Sequence, residues 1–453
     1  MGGLDRSRPA ASEAGGITRR ALLARASLAA GGALIGGTVR AEVADAAWPP
    51  ASAYGAEVPA AWFDVALELV RSTPGYSPPV ASRAFGYAGV ALHEALAPGL
   101  PEGRSLAGRL NGLTPLPRPS DLAYHWPTVA NSALARILRA LFPTAPARNV
   151  EAVEALERTY SAQARALLPL GVYRRSVKRG ADVAVHVFDW SKSDGGHEGF
   201  RDNFPPYTPP AGPALWTPTP PGFLPALQPY WGLNRPFVLA SGAACSPRPP
   251  LPYSERPSST FYAECNECYL ATTHLTPQQE AIARFWSDDP GATPTPPGHS
   301  VSILTQVVRA LELPLDRAAE AYARVGIAVA DAFIACWNAK YRYNLLRPVT
   351  YIRRVIDPAW TPLLITPPFP EFTSGHSVQS AAAAQVLTDL FGPLPFTDRS
   401  HESRGLGARS FGSFAEAAEE AAISRLYGGI HFRAAIERGL EQGYCIGRAV
   451  TGR

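Results

Sequence analysis

The sequence K-Y-R-Y-N-L-L-R-P at residues 340–348 is the first of three short blocks that decide how this chain is interpreted. The second, P-F-P-E-F-T-S-G-H, covers residues 368–376, and the third, S-R-L-Y-G-G-I-H, covers residues 424–431. Sequence with helical periodicity separates them. Cations, two histidines and a Ser-Gly pair recur in the blocks. Together they predict a pocket for a tetrahedral or trigonal-bipyramidal oxyanion.

The first block ends a predicted helix that runs from residue 315 to about residue 344. One face of this helix carries residues spaced four, four and three apart, namely Val329, Phe333, Trp337 and Lys340. Lys340 therefore ends a stripe that is otherwise apolar. It either extends to solvent or is buried with an anionic partner, and the spacing allows both. Arg347 lies just beyond, where Pro348 stops the helix.

The second block immediately precedes a strong helical run, S-V-Q-S-A-A-A-A-Q-V-L-T-D-L-F. Ser374 and Gly375 are therefore expected at a helix N-terminus, where free N–H groups and the helix dipole favour an anion. An ordinary N-cap is the alternative for Ser374. His376 follows them, and His431 precedes the final helix. Taken singly, a histidine such as His431 more often has a structural role.

Length and composition limit the possible functions. The 453 residues are 46% hydrophobic, enough for a large core, and the formal net charge is only +4. No basic run with interleaved aromatic residues is present, so nucleic acid is not an expected partner. Only three of the 42 basic residues are lysines, and one of the three, Lys340, lies in the first block. A compact ammonium charge is thus expected to have a specific use there.

Helical periodicity between Pro and Gly breaks predicts an all-α fold, because strand-like alternation is not sustained anywhere. The expected architecture is a large helical bundle, and two four-helix bundles would also suit the pattern. Residues 191–257 are dense in Pro, Gly and aromatic residues, and we expect a long ordered loop region that forms one wall of the pocket mouth. Further helices are predicted at residues 60–72, 79–97, 126–141, 148–168, 172–190, 276–287, 300–313 and 413–424.

The N-terminus carries the pattern of an export signal. Arg19 and Arg20 precede a weakly apolar stretch at residues 26–39, and an Ala-x-Ala sequence lies at residues 44–46. This order resembles a twin-arginine signal, which would place the protein in the periplasm or outside the cell. A basic tail followed by a short core helix is the alternative.

Three regions are predicted from these patterns. Residues 1–46 form the signal, residues 47–300 an N-terminal helical region and residues 301–453 a C-terminal catalytic bundle. No later run is apolar for long enough to predict a membrane span.

Five cysteines remain to be explained. The Cys265-x-x-Cys268 pair has no second pair at zinc-like spacing, so a zinc site is not predicted. The odd number leaves at least one free thiol, and Cys336 within an apolar helix is the best candidate.

Together the three blocks match a known signature. Lys-x6-Arg-Pro, then Ser-Gly-His, then Ser-Arg-x5-His resembles the pattern shared by vanadium-dependent haloperoxidases and type 2 phosphatidic acid phosphatases with their related acid phosphatases. The surrounding phrases W-x-x-K, P-F-P-E-F-T-S-G-H and Y-G-G-I-H-F-R look like the bacterial, soluble haloperoxidase branch. One departure is Thr373, which stands where that family usually has proline.

The resemblance implies a role for each matching residue. Lys340, Arg347 and Arg425 would neutralise the oxygens of vanadate or phosphate, and Ser374 Oγ with the Gly375 N–H would complete the cradle. His431 would be the vanadium ligand in a haloperoxidase or the nucleophile in a phosphatase. His376 would be the general acid–base, and Lys340 would also polarise bound peroxide.

Three further residues have weaker assignments. By resemblance, Asp288 pairs with a pocket arginine, although it also suits the end of a helix. Phe369, seven residues before His376, resembles the chloride-oxidising members of the family at a position where many bromide-oxidising ones have histidine. The resemblance implies chloride oxidation, although a core phenylalanine is an equal explanation. Trp337 belongs to the resembling W-x-x-K phrase and is expected near the site.

The expected function is therefore a vanadate-dependent haloperoxidase that oxidises chloride or bromide with hydrogen peroxide. The hypohalous acid formed would halogenate an organic acceptor. The alternative is a secreted, vanadium-free acid phosphatase that works through a phosphohistidine. A non-catalytic oxyanion-binding protein is a third possibility, but binding alone would not need both His376 and His431. The sequence does not predict an oligomeric state.

Overall fold

Thirteen α-helices and one short β-hairpin make up the part of the chain that the structure, a computed structural model, describes: residues 49–100, 105–116 and 122–452. The helices are α1 (Glu57–Ser72), α2 (Pro78–Leu96), α3 (Trp126–Leu141), α4 (Ala147–Leu167), α5 (Leu170–Ser191), α6 (Thr260–Thr273), α7 (Pro277–Phe285), α8 (Thr295–Ala310), α9 (Leu315–Tyr343), α10 (Pro348–Val355), α11 (Gly375–Phe391), α12 (Phe414–Tyr427) and α13 (Arg433–Thr451). Strands β1 (Phe396–Asp398) and β2 (Arg409–Phe411) pair antiparallel. The all-α prediction is confirmed.

Two differences from the expected elements have local causes. Helix α6 was not predicted, and it begins where the Ser259 side chain accepts a hydrogen bond from the Tyr262 N–H. Helix α9 ends at Tyr343, where Asn344 takes the left-handed conformation, so it stops before Pro348 is reached. Pro348 instead occupies the first position of α10, where a missing N–H costs nothing.

The predicted regions have different outcomes. The export signal lies outside the described residues. The division of the chain at residue 300 stays a prediction. None of the helices in the described ranges is long and apolar enough to cross a membrane.

Helix α9 is the central axis, and its 29 residues are buried on most faces. It packs closely on α2, because glycines let the two backbones approach. A Cβ atom on Gly89 would lie 2.5 Å from the Tyr322 carbonyl oxygen, and one on Gly326 would lie 2.7 Å from that of Phe85. Both are closer than real atoms come, so larger residues would push the helices apart. This packing fixes the position of Lys340 in the last turn of α9.

Helices α11 and α13 form a second close pair. A Cβ atom on Gly443 would lie 2.2 Å from the Val378 carbonyl oxygen. At the start of α11 the Ser374 N–H donates to the Ala435 carbonyl at 3.0 Å. The second and third blocks are therefore held together by the same two helices.

The loop region at residues 191–257 is ordered against the helices, as expected. The Asp331 carboxylate, buried on α9, accepts hydrogen bonds from the N–H groups of Phe237, Val238 and Leu239 at 2.6, 2.9 and 3.1 Å. Leu227 donates its N–H to the Pro368 carbonyl at 2.8 Å. The loop region is thus tied directly to the second block.

A disulfide joins the same region to the last helix. Cys245 bonds to Cys445 of α13, across 200 residues of sequence. Cys265, Cys268 and Cys336 are free and buried, so the prediction of a free thiol at Cys336 is confirmed.

Loss of this cross-link should destabilise the protein. We expect the Cys245→Ser/Cys445→Ser double variant to lose about 2–4 kcal/mol of unfolding free energy, since the bond closes a long loop. Urea unfolding with and without dithiothreitol measures this. Reductant should lower the stability of the wild type and leave the double variant unchanged. Equal stability of wild type and variant would contradict the expectation.

Candidate active site

A cavity of about 540 Å³ opens over the ends of the three blocks. Its floor includes Gly375, His376, Arg425 and His431. Most of its walls are apolar, with contributions from Val70, Leu227, Phe333, Trp337, Leu364, Ile365 and Phe369. The size suits a small organic molecule. The sequence elements singled out above therefore converge on one concave surface, although Lys340, Arg347 and Ser374 lie behind the residues that line it.

Lys340 is fully buried rather than extended to solvent. Its Nζ donates to the main-chain carbonyls of Pro370, Glu371 and Thr373 at 3.0, 3.0 and 2.5 Å. Burial, together with the charge of Arg347, lowers the pKa of Lys340 to about 7. The partners of this ammonium are thus three carbonyls of the second block, and its direct contact with an oxyanion stays a prediction.

Arg347 is also fully buried, at the N-cap of α10. Its Nε donates to the Phe369 carbonyl at 2.8 Å and its Nη1 to that of Ile430 at 2.8 Å. Its Nη2 is buried without a hydrogen-bond partner among the described residues. Burial lowers the pKa of Arg347 to about 10, so the guanidinium stays charged at neutral pH. It therefore has an unused donor for an anion.

Arg425 lies near the end of α12 and is 1% exposed. Its Nε donates to Ser424 Oγ at 2.9 Å and its Nη2 to the Ala283 carbonyl at 3.1 Å. Burial lowers its pKa to about 10, although the nearby charge of Asp288 opposes the shift. The third block thus adds a second buried guanidinium that remains charged.

The His431 ring lies between the side chains of Glu371 and Arg347. Its Nδ1 lies 2.8 Å from Glu371 Oε1, and Arg347 Nη1 lies 3.2 Å from its Nε2. A guanidinium can only donate, so Nε2 is the acceptor and Nδ1 carries the hydrogen. Burial and the charges of Arg347 and Lys340 hold the pKa of His431 well below its usual range. The ring is neutral, and its Nε2 carries the lone pair that accepts from Arg347 and that a ligand or an electrophile would use instead.

Glu371 was not recognised from the sequence as a functional residue. It is fully buried, and burial raises its pKa to about 8, although the Phe432 N–H and Arg347 oppose the shift. The available signal was an acidic residue inside the apolar, proline-rich second block. Its partner lies 60 residues away, and spacing alone did not identify it.

His376 is half-buried in the first turn of α11. Burial and the charge of Arg425 hold its pKa well below the usual range. Its Nε2 has no hydrogen-bond partner among the described residues. A neutral imidazole with an unused nitrogen beside the cavity is suited to take up a proton.

Ser374 acts as the N-cap of α11, which was the alternative prediction for it. Its Oγ accepts the Ser377 N–H at 3.4 Å, and the side chain is fully buried. Gly375 faces the cavity, and a Cβ atom there would first meet Trp337 at 3.8 Å. The space beside Gly375 is open, which lets an anion approach the helix N-terminus. A contact between Ser374 and an anion stays a prediction.

The two aromatic residues with weaker assignments lie together under the cations. The ring centroids of Trp337 and Phe369 are 4.9 Å apart. Lys340 Nζ lies 5.0 Å and Arg347 Cζ lies 4.8 Å from the centroid of Phe369. The Phe369 ring face therefore stabilises both buried cations. Its effect on halide choice stays a prediction.

Asp288 lines the cavity and belongs to a buried network of acids and histidines. Its Oδ2 lies 2.9 Å from His299 Nδ1, and Asp398 Oδ2 lies 2.6 Å from His299 Nε2. His401 Nε2 lies 3.2 Å from Asp288 Oδ1 without hydrogen-bonding geometry. Among the described residues, the hydrogen bond of Asp288 thus goes to a histidine. Its pairing with an arginine stays a prediction, supported by its effect on Arg425.

The network is best described as an imidazolium between two carboxylates. Burial lowers the pKa of His299, but Asp288 and Asp398 outweigh this and raise it to about 10. Asp288, His299 and His401 also have a spacing that could hold a metal ion. Both nitrogens of His299 are already hydrogen-bonded, so we interpret the group as an ion-pair network. It anchors the cavity wall at Asp288.

Comparisons with known proteins show what the whole chain is similar to. A family model described as the VCPO second helical-bundle domain matches residues 320–453. The crystal structure of the first bacterial vanadium-dependent iodoperoxidase aligns with a TM-score of 0.79 and 38% identity, covering 88% of this chain and 96% of that one. Holo and apo bacterial vanadium-dependent chloroperoxidases align with TM-scores of 0.65 and 0.61, at 18% and 17% identity, each over 84% of this chain and over 93% and 95% of theirs. At that low identity, the two chloroperoxidase structures support only a shared fold with this chain. No curated protein matches.

The network around His299 should make stability depend on pH. The folded pKa of His299 is raised, so its contribution is complete below about pH 6.5 and is lost as pH rises towards 10. In this window we expect the unfolding free energy to fall by up to about 1.4 kcal/mol per pH unit from this group. Urea unfolding of wild type and His299→Gln at pH 6 to 10 measures it.

The variant should show a flatter profile than the wild type. His274→Gln removes an exposed histidine and is the matched control, so its profile should follow the wild type. A His299→Gln profile parallel to that of the wild type would contradict the assignment of a buried imidazolium.

Proposed function

We propose that this chain, which belongs to the vanadium-dependent haloperoxidase family, binds vanadate and oxidises a halide with hydrogen peroxide. The observation that carries the proposal is a set of three fully or almost fully buried cations, Lys340, Arg347 and Arg425. None of them forms an ion pair with a carboxylate within 4.0 Å in the described ranges. Buried charges normally need a partner, and an oxyanion on the cavity floor would provide it.

The residues present fit vanadate. Arg347 Nη2 and His376 Nε2 are buried polar atoms without a hydrogen-bond partner in the described part of the chain. His431 presents its Nε2 lone pair, which now accepts from Arg347, and a neutral imidazole nitrogen of this kind is a common metal ligand. We propose His431 as the vanadium ligand, with Arg347, Arg425, Lys340 and the N-terminus of α11 at Ser374 and Gly375 neutralising the oxygens.

Bound vanadate would supply Lewis-acid activation of peroxide towards attack by halide. The residues of this chain serve that chemistry in three ways. The guanidinium groups of Arg347 and Arg425 balance negative charge. His376 is neutral and takes a proton from the incoming peroxide at Nε2. The apolar walls limit water around the floor, which strengthens each electrostatic interaction. In sum, halide, hydrogen peroxide and one proton give hypohalous acid and water.

Iodide, bromide and chloride are all candidates for the halide. The relative at 38% identity is an iodoperoxidase by name, whereas Phe369 hinted at chloride. Iodide is chemically the easiest of the three to oxidise, so it is the first halide to test. The apolar cavity supports an apolar organic acceptor, which hypohalous acid would halogenate with release of water.

We also propose that the protein acts outside the cytoplasm, in the periplasm or beyond the cell. The Cys245–Cys445 disulfide supports this, since such bonds persist in oxidising compartments. The twin-arginine pattern at Arg19 and Arg20 is the second support.

A vanadium-free acid phosphatase is the second candidate. The neutral His431, whose Nε2 carries the lone pair, also suits a nucleophile towards phosphorus, and His376 would then protonate the leaving alcohol. The same cations would hold phosphate. The two functions differ in what vanadate does.

Activity with and without vanadate separates them. We expect peroxide-dependent oxidation of iodide, and then of bromide or chloride, only after orthovanadate is added. A phenol serves as acceptor, and product formation is followed by absorbance and mass spectrometry. Turnover of an aryl phosphate without vanadium, inhibited by vanadate, would favour the phosphatase instead.

Substitution of the floor should remove the activity at two different steps. His431→Ala should abolish halide oxidation and weaken vanadate binding, measured by isothermal titration calorimetry, since the metal ligand is lost. His376→Ala should lower the turnover rate by about 100-fold or more with weaker effect on vanadate affinity, since it only transfers a proton. His186→Ala, which changes a partly exposed histidine that does not line the cavity, is the control. Full activity of His431→Ala would refute the site.

Export can be tested by replacing the arginine pair. We expect Arg19→Lys/Arg20→Lys to retain the precursor in the cytoplasm of a host with a twin-arginine pathway. Cell fractionation and immunoblotting give the distribution. Unchanged export would reject this route.

A further inference from the structure

We propose that Glu371 is the positioning residue that fixes the orientation and the tautomer of His431. The inference rests on the proposed function for the identity of the anion, vanadate. The orientation itself follows from contacts within the chain and would serve a phosphate ester equally. It assigns to a residue of the second block a role that is exerted entirely through another side chain.

The Glu371 carboxylate is held from several sides. Its Oε1 accepts the Phe432 N–H at 2.9 Å and lies 2.8 Å from His431 Nδ1. Its own N–H donates to the Leu345 carbonyl at 3.0 Å, and its own carbonyl accepts from Lys340 Nζ at 3.0 Å. The side chain is 0% exposed. A carboxylate fixed at both its backbone and its oxygen gives the imidazole one preferred direction.

The other side of the ring shows why the tautomer matters. Arg347 Nη1 lies 3.2 Å from His431 Nε2 and needs an acceptor there. With the hydrogen on Nδ1, the ring donates to Glu371 and leaves the Nε2 lone pair for Arg347 or for vanadium. With the hydrogen on Nε2, two donors would face each other and no lone pair would point to the cavity floor. A carboxylate at Nδ1 therefore selects the competent form.

No carboxylate from the same helix can take over this role. One turn beyond His431 the chain carries Ala435, whose carbonyl is used by the Ser374 N–H. The orienting acid comes instead from the second block, 60 residues earlier. Glu371 thus couples the second and third blocks, since any movement of the proline-rich segment carries the vanadium ligand with it.

A neighbouring acid offers a matched control. Glu264 on α6 accepts a hydrogen bond at its Oε1 from the Ala434 N–H, near the start of α13. This hydrogen bond does not involve His431. Like Glu371 it is largely removed from water, which raises its pKa to about 7. Glu264→Gln therefore alters an acid that supports the same helix without touching the ring.

The test compares Glu371→Gln, Glu371→Ala, Glu371→Asp and Glu264→Gln in the full-length mature protein. Two measurements are made without turnover. The ¹⁵N shifts of labelled histidine give the His431 tautomer in vanadate-free protein, assigned with His431→Ala. Calorimetric titration with orthovanadate gives affinity, and circular dichroism confirms folding of each variant.

We expect Glu371→Gln and Glu371→Ala to lose the pure Nδ1–H tautomer and to bind vanadate about 10–100-fold more weakly. Glu371→Asp keeps the carboxyl group and should restore the tautomer in part. Glu264→Gln should stay within twofold of the wild type in both measurements.

Three outcomes are decisive. An unchanged tautomer and affinity in Glu371→Gln and Glu371→Ala would overturn the inference. Equal losses in Glu264→Gln would also overturn it, because they would show general support of the helix. If the wild type binds no vanadate, the proposed function fails, while the tautomer of the free protein still decides the role of Glu371. Should Glu371→Ala not fold, the near-isosteric Glu371→Gln gives the result.

Discussion

The structure depends on how three basic side chains are kept out of water with no carboxylate within 4.0 Å of their nitrogens in the described ranges. Lys340, Arg347 and Arg425 are at most 1% exposed. Removal of a single ion from water costs several kcal/mol even after relaxation. The fold offsets part of this cost with main-chain carbonyls and with the face of Phe369. The part of the desolvation cost that remains favours binding of an anion on the cavity floor.

The scaffold makes that arrangement possible by bringing helix ends together. Helix α9 packs closely on α2, and α11 packs closely on α13. This packing brings residues of different blocks within hydrogen-bond distance of one another. Helix ends supply carbonyls and N–H groups that have no partner within their own helix. A site built from them is rigid, because movement of any block would strain two helix pairs. The loop region then closes one side, anchored at Asp331 and at the disulfide.

Local patterns in the sequence were enough for most helices and for the three blocks. The spacing of Val329, Phe333, Trp337 and Lys340 correctly placed a lysine at the end of a buried face, but could not say that it is buried. Contacts between distant segments were not predictable in the same way. Glu371 meets His431 across 60 residues, and His299 meets Asp398 across 99. Such pairs depend on the packing of whole helices, which no spacing rule contains.

The hydrogen bonds from Lys340 to the carbonyls of the second block affect which substitutions that block can tolerate. Lys340 Nζ donates hydrogen bonds to the main-chain carbonyls of Pro370, Glu371 and Thr373. Every amino acid has such a carbonyl. This contact therefore does not depend on which side chains the segment carries. Threonine can stand at residue 373, where relatives usually have proline, while the oxygen that the ammonium needs is still present. These hydrogen bonds constrain the path of the backbone. Which side chains are acceptable at these positions is decided by their other contacts.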